Sequence, residues 1–424
     1  MCKEIVLSLF LVICVSFCVT YNKQYGGYNN VFAWKQIGYD FGGKIYRNST
    51  DFEYKEDAIH FIQELNDSEK FFIQNNNVPI GFEVYKDKVF ITVPRRRHGI
   101  PSTLNYVQLK HGVPSPLLRP YPDVGTSKTF VSIYRPRVDS CHRLWMVDTG
   151  HLEVPGERKQ IQPPAIIVYD LKTNQEILRH ELDPSIIVNE RTSAGLTSIT
   201  VDVHPMACED AYAYINDLAT EGLVVFSLKD KKSWRLNHQS FRHDEEAMNF
   251  TAAGHVITWR DGIFSIALSA PDDEGRRTAF FHPLVSTQEF AIDTSVLKSK
   301  AGSLEGQVKL LGNRGPNSQS GSHDIHQATG VMFFANVAQD AILCWNVKNE
   351  LSPENVVVAA QDREKLAYVS DLKVIGDDVW ALTNQIPKFI FNTQNLNEDN
   401  YFIQRYNVQD LIRETVCEKS VKKY

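Results

Sequence analysis

Two imidazoles three residues apart, His323 and His326 in the stretch SHDIH, form a pair that can bind a metal or move protons near neutral pH. They precede an apolar run by a few residues, so they are expected in a loop at the mouth of a strand, where a rival reading makes them solvent-facing. Arg95, Arg96, Arg97 and His98 form one compact basic cluster. At a strand end it would attract a carboxylate; alternatively it is a solvated loop or a set of ion pairs between elements. Asp148, Asp202, Asn216, Asp217, Asp371 and Asn384 recur near the ends of strand-like runs. Such residues can reach a ligand, but Asp and Asn also bond their own backbone at turns. Phe333, Phe334, Trp345 and Trp380 offer ring faces for a flat ligand or a cation, with packing between sheets as the alternative. No GxSxG elbow, HExxH, P-loop or GxGxxG is present, and Gly302-Ser-Leu-Glu-Gly306 lacks the elbow order. No cofactor or metal is expected.

The elements that must position these residues are short runs rich in β-branched and aromatic residues, separated by turn signals. They repeat as Pro79–Pro94, Phe130–Asp148, Thr197–Asp217, Thr251–Leu268, His326–Val347 and Tyr368–Thr383. Each reads as an inner strand, a tight turn and a second strand, and several are followed by another, such as Ala165–Leu171 or Ala341–Val347. One such sheet cannot bury both faces alone, so neighbours must stack. Radial stacking of six four-stranded blades satisfies this without linkers, and no linker is visible in the chain. The fold expected is therefore all-β, a six-bladed β-propeller filling residues 21–424. One amphipathic helix is predicted over Asp57–Asn66, where Ile59, Phe61, Ile62 and Leu65 lie near one face.

Ile5–Val19 has the length of a signal-peptide h-region and is too short to span a bilayer comfortably. Residues 1–20 are expected to be removed, leaving a secreted chain with no membrane segment. Four cysteines then remain, Cys141, Cys208, Cys344 and Cys417, without CxxC spacing. An even number in a secretory context reads as two disulfides, with three connectivities open. The nearest-in-sequence pairing would close moderate loops, each worth about 4 kcal/mol in the loop-entropy model. Asn48, Asn66 and Asn249 head glycosylation sequons. The net charge of −6, without long basic blocks, argues against nucleic acid as a partner.

Phe32-Ala-Trp34-Lys-Gln resembles the FxWK opening of yellow-type proteins, and Thr92–Tyr106 (TVPRRRHGIPSTLNY) resembles their GIPSTLNY signature. Cys141–Gly150 (CHRLWMVDTG) is similar to their C…LWVLDTG motif, with weaker echoes at Ile167–Leu171, Gly315–Ser320, Gly330–Phe334 and Trp380–Asn384. The chain thus resembles the insect yellow / major royal jelly protein family. The resemblance implies a six-bladed propeller, secretion, and the sequential disulfides Cys141–Cys208 and Cys344–Cys417. Members of that family act in cuticle pigmentation, convert dopachrome, serve as nutritive jelly proteins or bind biogenic amines in saliva. The GIPSTLNY form and Phe281–Val296 resemble the dopachrome-converting branch.

Two functions follow as expectations, both with a small catechol or indole derivative as partner. Dopachrome conversion to a dihydroxyindole, by tautomerisation or decarboxylation, needs a base, a carboxylate clamp and exclusion of water, but no cofactor. His326, His323 or an acidic channel residue such as Asp217 would serve as base, and Arg96 with its neighbours as clamp. An amine binder would instead use Asn384 and Asp371 for the ammonium and a ring such as Phe334 for stacking. Oligomeric state is not legible.

Overall fold

Gly81–Tyr85 alternates its side chains, reverses at Lys86-Asp87, and returns as Lys88–Thr92 in an antiparallel pair that places Phe82 opposite Ile91. Lys86 takes the left-handed backbone that such a tight turn requires, with φ 55°. The same unit recurs around the chain. The computed structural model describes residues 29–48, 52–55, 58–61, 65–110, 112–300 and 303–418, so residues 1–20, where a signal segment is expected, lie outside the described residues.

Six four-stranded antiparallel sheets result. Their inner strands are Gly81–Tyr85, Arg137–Val138, Leu196–Asp202, Ile263–Leu268, Ser320–His326 and Val369–Ile375. Each inner strand packs against the next, and the sixth against the first, so the blades form a closed ring. The sixth blade takes Val369–Ile375, Asp378–Thr383 and Tyr401–Asn407 from the C-terminal part and Asn29–Trp34 from the N-terminal part. That strand carries the FxWK residues, with Phe32 opposite Ile403 and Trp34 opposite Tyr401. Apolar faces of neighbouring blades supply the core; Trp145, Ile166 and Val224, for example, meet between the second and third.

Cys141–Cys208 and Cys344–Cys417 are the disulfides, as the resemblance implied. The first joins the inner turns of blades two and three, and the second ties blade five to the segment that follows blade six. Among the described residues no helix is long and apolar enough to cross a membrane.

Three local expectations are corrected. Ala58–Phe61 is not helical: its backbone pairs antiparallel with Phe52–Lys55, with Phe61 in register with Phe52. So few residues cannot separate a period of two from 3.6, and an available partner strand decides. Thr251 belongs to a separate hairpin, Asn249–Ala252 with His255–Thr258, and the fourth blade begins only at Ile263. His323 and His326 are not in a loop, because the fifth inner strand starts at Ser320 and includes both. The polar residues in Ser320–His326 hid a strand that is buried along its length, since burial in a propeller centre does not require apolar side chains.

Candidate functional site

All six inner strands start on one face of the ring. There residues within two positions of the starts of five of them, Ile80, Arg135, Thr197, Phe264 and Ser370, help line a cavity of about 900 Å³. Deeper in, the channel is filled by charged side chains. Arg137 Nη1 lies 2.8 Å from Asp324 Oδ2, and Lys373 Nζ lies 3.6 Å from Asp371 Oδ2. Glu83 accepts from the backbone of Val84 and Val138, and burial pushes its carboxyl up. Asp371 also accepts from Ser322 Oγ and from the Phe82 N–H. These paired groups stopper the channel, so the cavity is a pocket rather than a pore.

The pocket wall mixes aromatic and charged groups. Trp259, half-buried, meets buried Tyr368 edge-on at 5.8 Å. Tyr368 holds φ 61°, a left-handed conformation rare for a bulky residue, and its phenol is pushed up by burial. Tyr134 donates to Glu153, whose Oε2 lies 3.7 Å from Arg96 Nε. Asp261 lies half-buried at the entry to the fourth blade. Desolvation pushes its carboxyl up to about 6, against the pull of Arg96, Arg191 and Arg135. Among the lining residues six are cationic (Arg96, Arg135, Arg158, Lys159, Arg191 and Arg260), against three carboxylates, Glu153, Glu190 and Asp261. In a chain of net charge −6 this is a local reversal of sign, and it favours an anionic ligand.

The structure splits the residues singled out in the sequence. Arg96 and Asn384 line the pocket. Asn384 is buried, with its amide on the Pro79 carbonyl at 2.9 Å. Asp371 lies one residue below the pocket wall, in the stopper. The other members of the basic cluster have separate tasks. Arg95 holds the carbonyls of Ile100, Pro101, Phe130 and Val131, Arg97 lies over the Phe389 ring at 5.3 Å, and His98 meets Glu157 at 3.1 Å. Asp217 is turned to structure, binding Arg235 at 2.7 Å and the backbone of Ala219 and Thr220. His326 ends the inner strand on the face opposite the pocket, bonded to Thr329 and Asp377.

His323 is buried between blades four and five with Phe334 stacked on it at 5.6 Å. Its Nε2 lies 3.2 Å from Glu289 Oε1, and His282 Nδ1 lies 2.9 Å from Glu289 Oε2. These three residues are close enough to share a metal ion. Arg314 Nη1 already meets Glu289 Oε2 at 2.7 Å, and His282 Nε2 faces the Ser320 and Gly321 carbonyls. The arginine supplies the positive charge the carboxylate needs, so the geometry is that of an ion-paired network holding two blades together.

Asp261, Arg135, Tyr134, Trp259, Tyr368 and Arg191 escaped the sequence reading. The signal that would have found most of them is position: Tyr134-Arg135, Trp259-Arg260-Asp261 and Tyr368 each stand one to four residues before an inner strand. Once the strand starts are aligned, those positions converge on the pocket.

The family model for the major royal jelly proteins matches residues 131–417, from just before the second blade to the last cysteine. The chain belongs to the major royal jelly protein family. Among curated relatives, L-dopachrome tautomerase yellow-f of Drosophila melanogaster is 38% identical over 405 residues, covering 92% of this chain and 94% of the relative. Dopaminechrome tautomerase of the same species is 30% identical, covering 82% of this chain and 78% of the relative. Protein yellow of that species is 33% identical over 82% of this chain and 65% of its own length.

The motifs that carry the family likeness serve the frame more than the pocket. In Cys141–Gly150, Asp148 is buried and accepts from the Val131, Ser132 and Gly150 N–H groups, while Cys141 is bridged. In Thr92–Tyr106 only Arg96 reaches the pocket wall.

Proposed function

We propose that this protein is a secreted tautomerase of the pigmentation pathway, converting dopachrome to a dihydroxyindole. The observation that carries the reading is the excess of cationic side chains around a pocket stoppered at its floor that also holds Asp261, a carboxylate that burial pushes up to about 6. Dopachrome bears a carboxylate on a flat ring; the arginines match the first, and Trp259, Tyr368 and Phe264 suit the second. Two relatives named for tautomerisation of such compounds support the same class.

The chemistry needs only proton movement. Asp261 in its ionised form takes a proton from the saturated ring carbon. The C–H electron pair forms a double bond to the ring and the electrons of one quinone carbonyl end on its oxygen, which is protonated; loss of a second proton from the adjacent saturated carbon completes the ring double bond and leaves the second quinone oxygen as a hydroxyl. Substrate and product are isomers, so no oxidant or cofactor takes part. The stoppered channel limits water access from below, which strengthens each electrostatic contact.

Two disulfides fit an oxidising compartment, consistent with removal of residues 1–20 and secretion. Asn48, Asn66 and Asn249 are all exposed and suit glycan attachment. The test of function is the decay of freshly prepared dopachrome with purified protein against a heat-denatured control, with the product identified. Saturable acceleration supports the reading. No acceleration, together with heat released on titrating dopamine or serotonin, replaces it with amine binding.

A further inference from the structure

One buried cation at the pocket floor has no anion of its own. Arg135 enters from the second blade and is only 7% exposed. Its Nε donates to the Ser370 carbonyl of the sixth blade at 2.9 Å, and its Nη1 to the Thr197 carbonyl of the third at 3.3 Å. The guanidinium plane lies 4.4 Å over the ring of Phe264, from the fourth blade. Four blades therefore fix its position. Gly81, from the first blade, leaves the room: a Cβ there would come within 2.4 Å of the Tyr134 carbonyl and 2.9 Å of Arg135 Cγ.

Among the described residues Arg135 has no carboxylate within 4 Å. Asp371, a charge near it, is committed to Lys373, Ser322 and the Phe82 N–H. Nη2 makes no hydrogen bond among the described residues, and the residue lines the pocket. A buried, immobilised and unpaired guanidinium is costly in the free protein. Its use lies in meeting negative charge that arrives with the ligand or develops during reaction.

We propose that Arg135 is a catalytic residue that receives the quinone oxygens of the substrate at the floor of the pocket. The carboxylate, where there is one, is left at the rim among Arg96, Arg191 and Arg260. This rests on the tautomerase reading above and deepens it by fixing the orientation of the ring. As the C–H bond breaks toward Asp261, the electron pair passes through the ring to the inward oxygen. Arg135 stabilises that oxyanion until the proton returns to it as a phenol hydroxyl. The free guanidinium edge suits the two adjacent oxygens of an ortho-quinone. The substrate class is therefore cyclised ortho-quinones of the aminochrome type, with the carboxylate contributing binding rather than chemistry.

The experiment compares wild type, R135Q, R135K and R191A on dopachrome and on dopaminechrome, which lacks the carboxylate. R135Q is expected to lower kcat by about 10²–10³-fold on both substrates, with R135K partly active. R191A is expected to raise KM for dopachrome far more than for dopaminechrome. Thermal melting checks folding, and restoration of an R135A chain by added free guanidinium gives a readout that a structural role would not. An R135Q kcat within about threefold of wild type overturns the role, as does a loss confined to dopachrome, which would place Arg135 on the carboxylate. A wild-type chain inactive on both substrates overturns the tautomerase reading and this role with it.

Discussion

Ala33 and Phe402, from opposite ends of the chain, stand opposite each other in the ladder that completes the sixth blade. A ring built of blades has an open seam unless one sheet is shared between its ends, and this pairing closes it. The strand is held by side chains as well as backbone. Trp34 is 1% exposed and its indole N–H donates to the Pro116 carbonyl of the first blade at 2.8 Å.

Trp34→Ala is accordingly expected to destabilise the protein by about 3–5 kcal/mol, through a cavity and a lost hydrogen bond. Urea unfolding followed by fluorescence measures this. A loss below about 1 kcal/mol would mean that the closing strand is not held by its side chains.

Asp261 links activity to pH. Its folded pKa of about 6 lies above the ordinary carboxylate value of 3.8. A base must be ionised to act, so kcat is expected to rise through about pH 6 and level off above it. Asp261→Asn should remove that limb and about 10²–10⁴-fold of the rate. The stability sign is opposite. A raised carboxyl pKa means that the folded state holds its proton longer, so stability falls as pH rises from the unfolded value to the folded one. The Asn variant should therefore melt higher than wild type at pH 7.5 and show no gain at pH 4. A variant that melts lower at pH 7.5 would contradict the burial argument.

Glu289 and Arg314 have side chains of 0% exposure, 2.7 Å apart. Burial pushes the Glu289 carboxyl up, but His282 and His323 outweigh it and hold the carboxyl well below its usual range. Glu289→Ala leaves the guanidinium buried without a partner and is expected to cost about 3–5 kcal/mol. Replacing Arg314 by Met in the same chain should recover part of that loss, and a double-mutant cycle in urea reads the coupling. Single losses that simply add would show that the pair is not a unit.

The disulfides differ in access rather than in loop length. Cys344 and Cys417 are fully buried, whereas Cys141 and Cys208 are half-buried. Mild reductant is expected to open Cys141–Cys208 first, with alkylation and mass spectrometry as the readout. By loop closure alone each bridge is worth about 4 kcal/mol to stability. Equal reduction rates would indicate that breathing between blades exposes both.

The blade count was legible because each blade writes itself locally. Short runs rich in β-branched and aromatic residues form strands such as Lys88–Thr92 and Tyr212–Asp217, and a turn separates each from its partner. Boundaries were less legible where the pattern was ambiguous. The hairpin at Asn249–Thr258 resembles a blade opening but is an insertion at the pocket rim, and the polar strand Ser320–His326 does not look like a buried one.

The pocket was the least legible part. His326 and Asp217 have plausible residue types, yet one lies on the far face and the other holds Arg235. Arg96 could be recognised as a possible clamp, but nothing local distinguishes it from Arg95, which is spent on four carbonyls.

The sequence by itself determined the class of fold, the number of blades, the four bridging cysteines and the family, because strand period, turn chemistry and motif order are properties of neighbouring residues. Only the tertiary structure decided that Arg135, Asp261, Trp259 and Tyr368 share one pocket, that its sign is opposite to that of the chain, and that the first strand closes the last blade. Those facts depend on distances between residues far apart along the chain and on the loss of water around them, neither of which is written in local order.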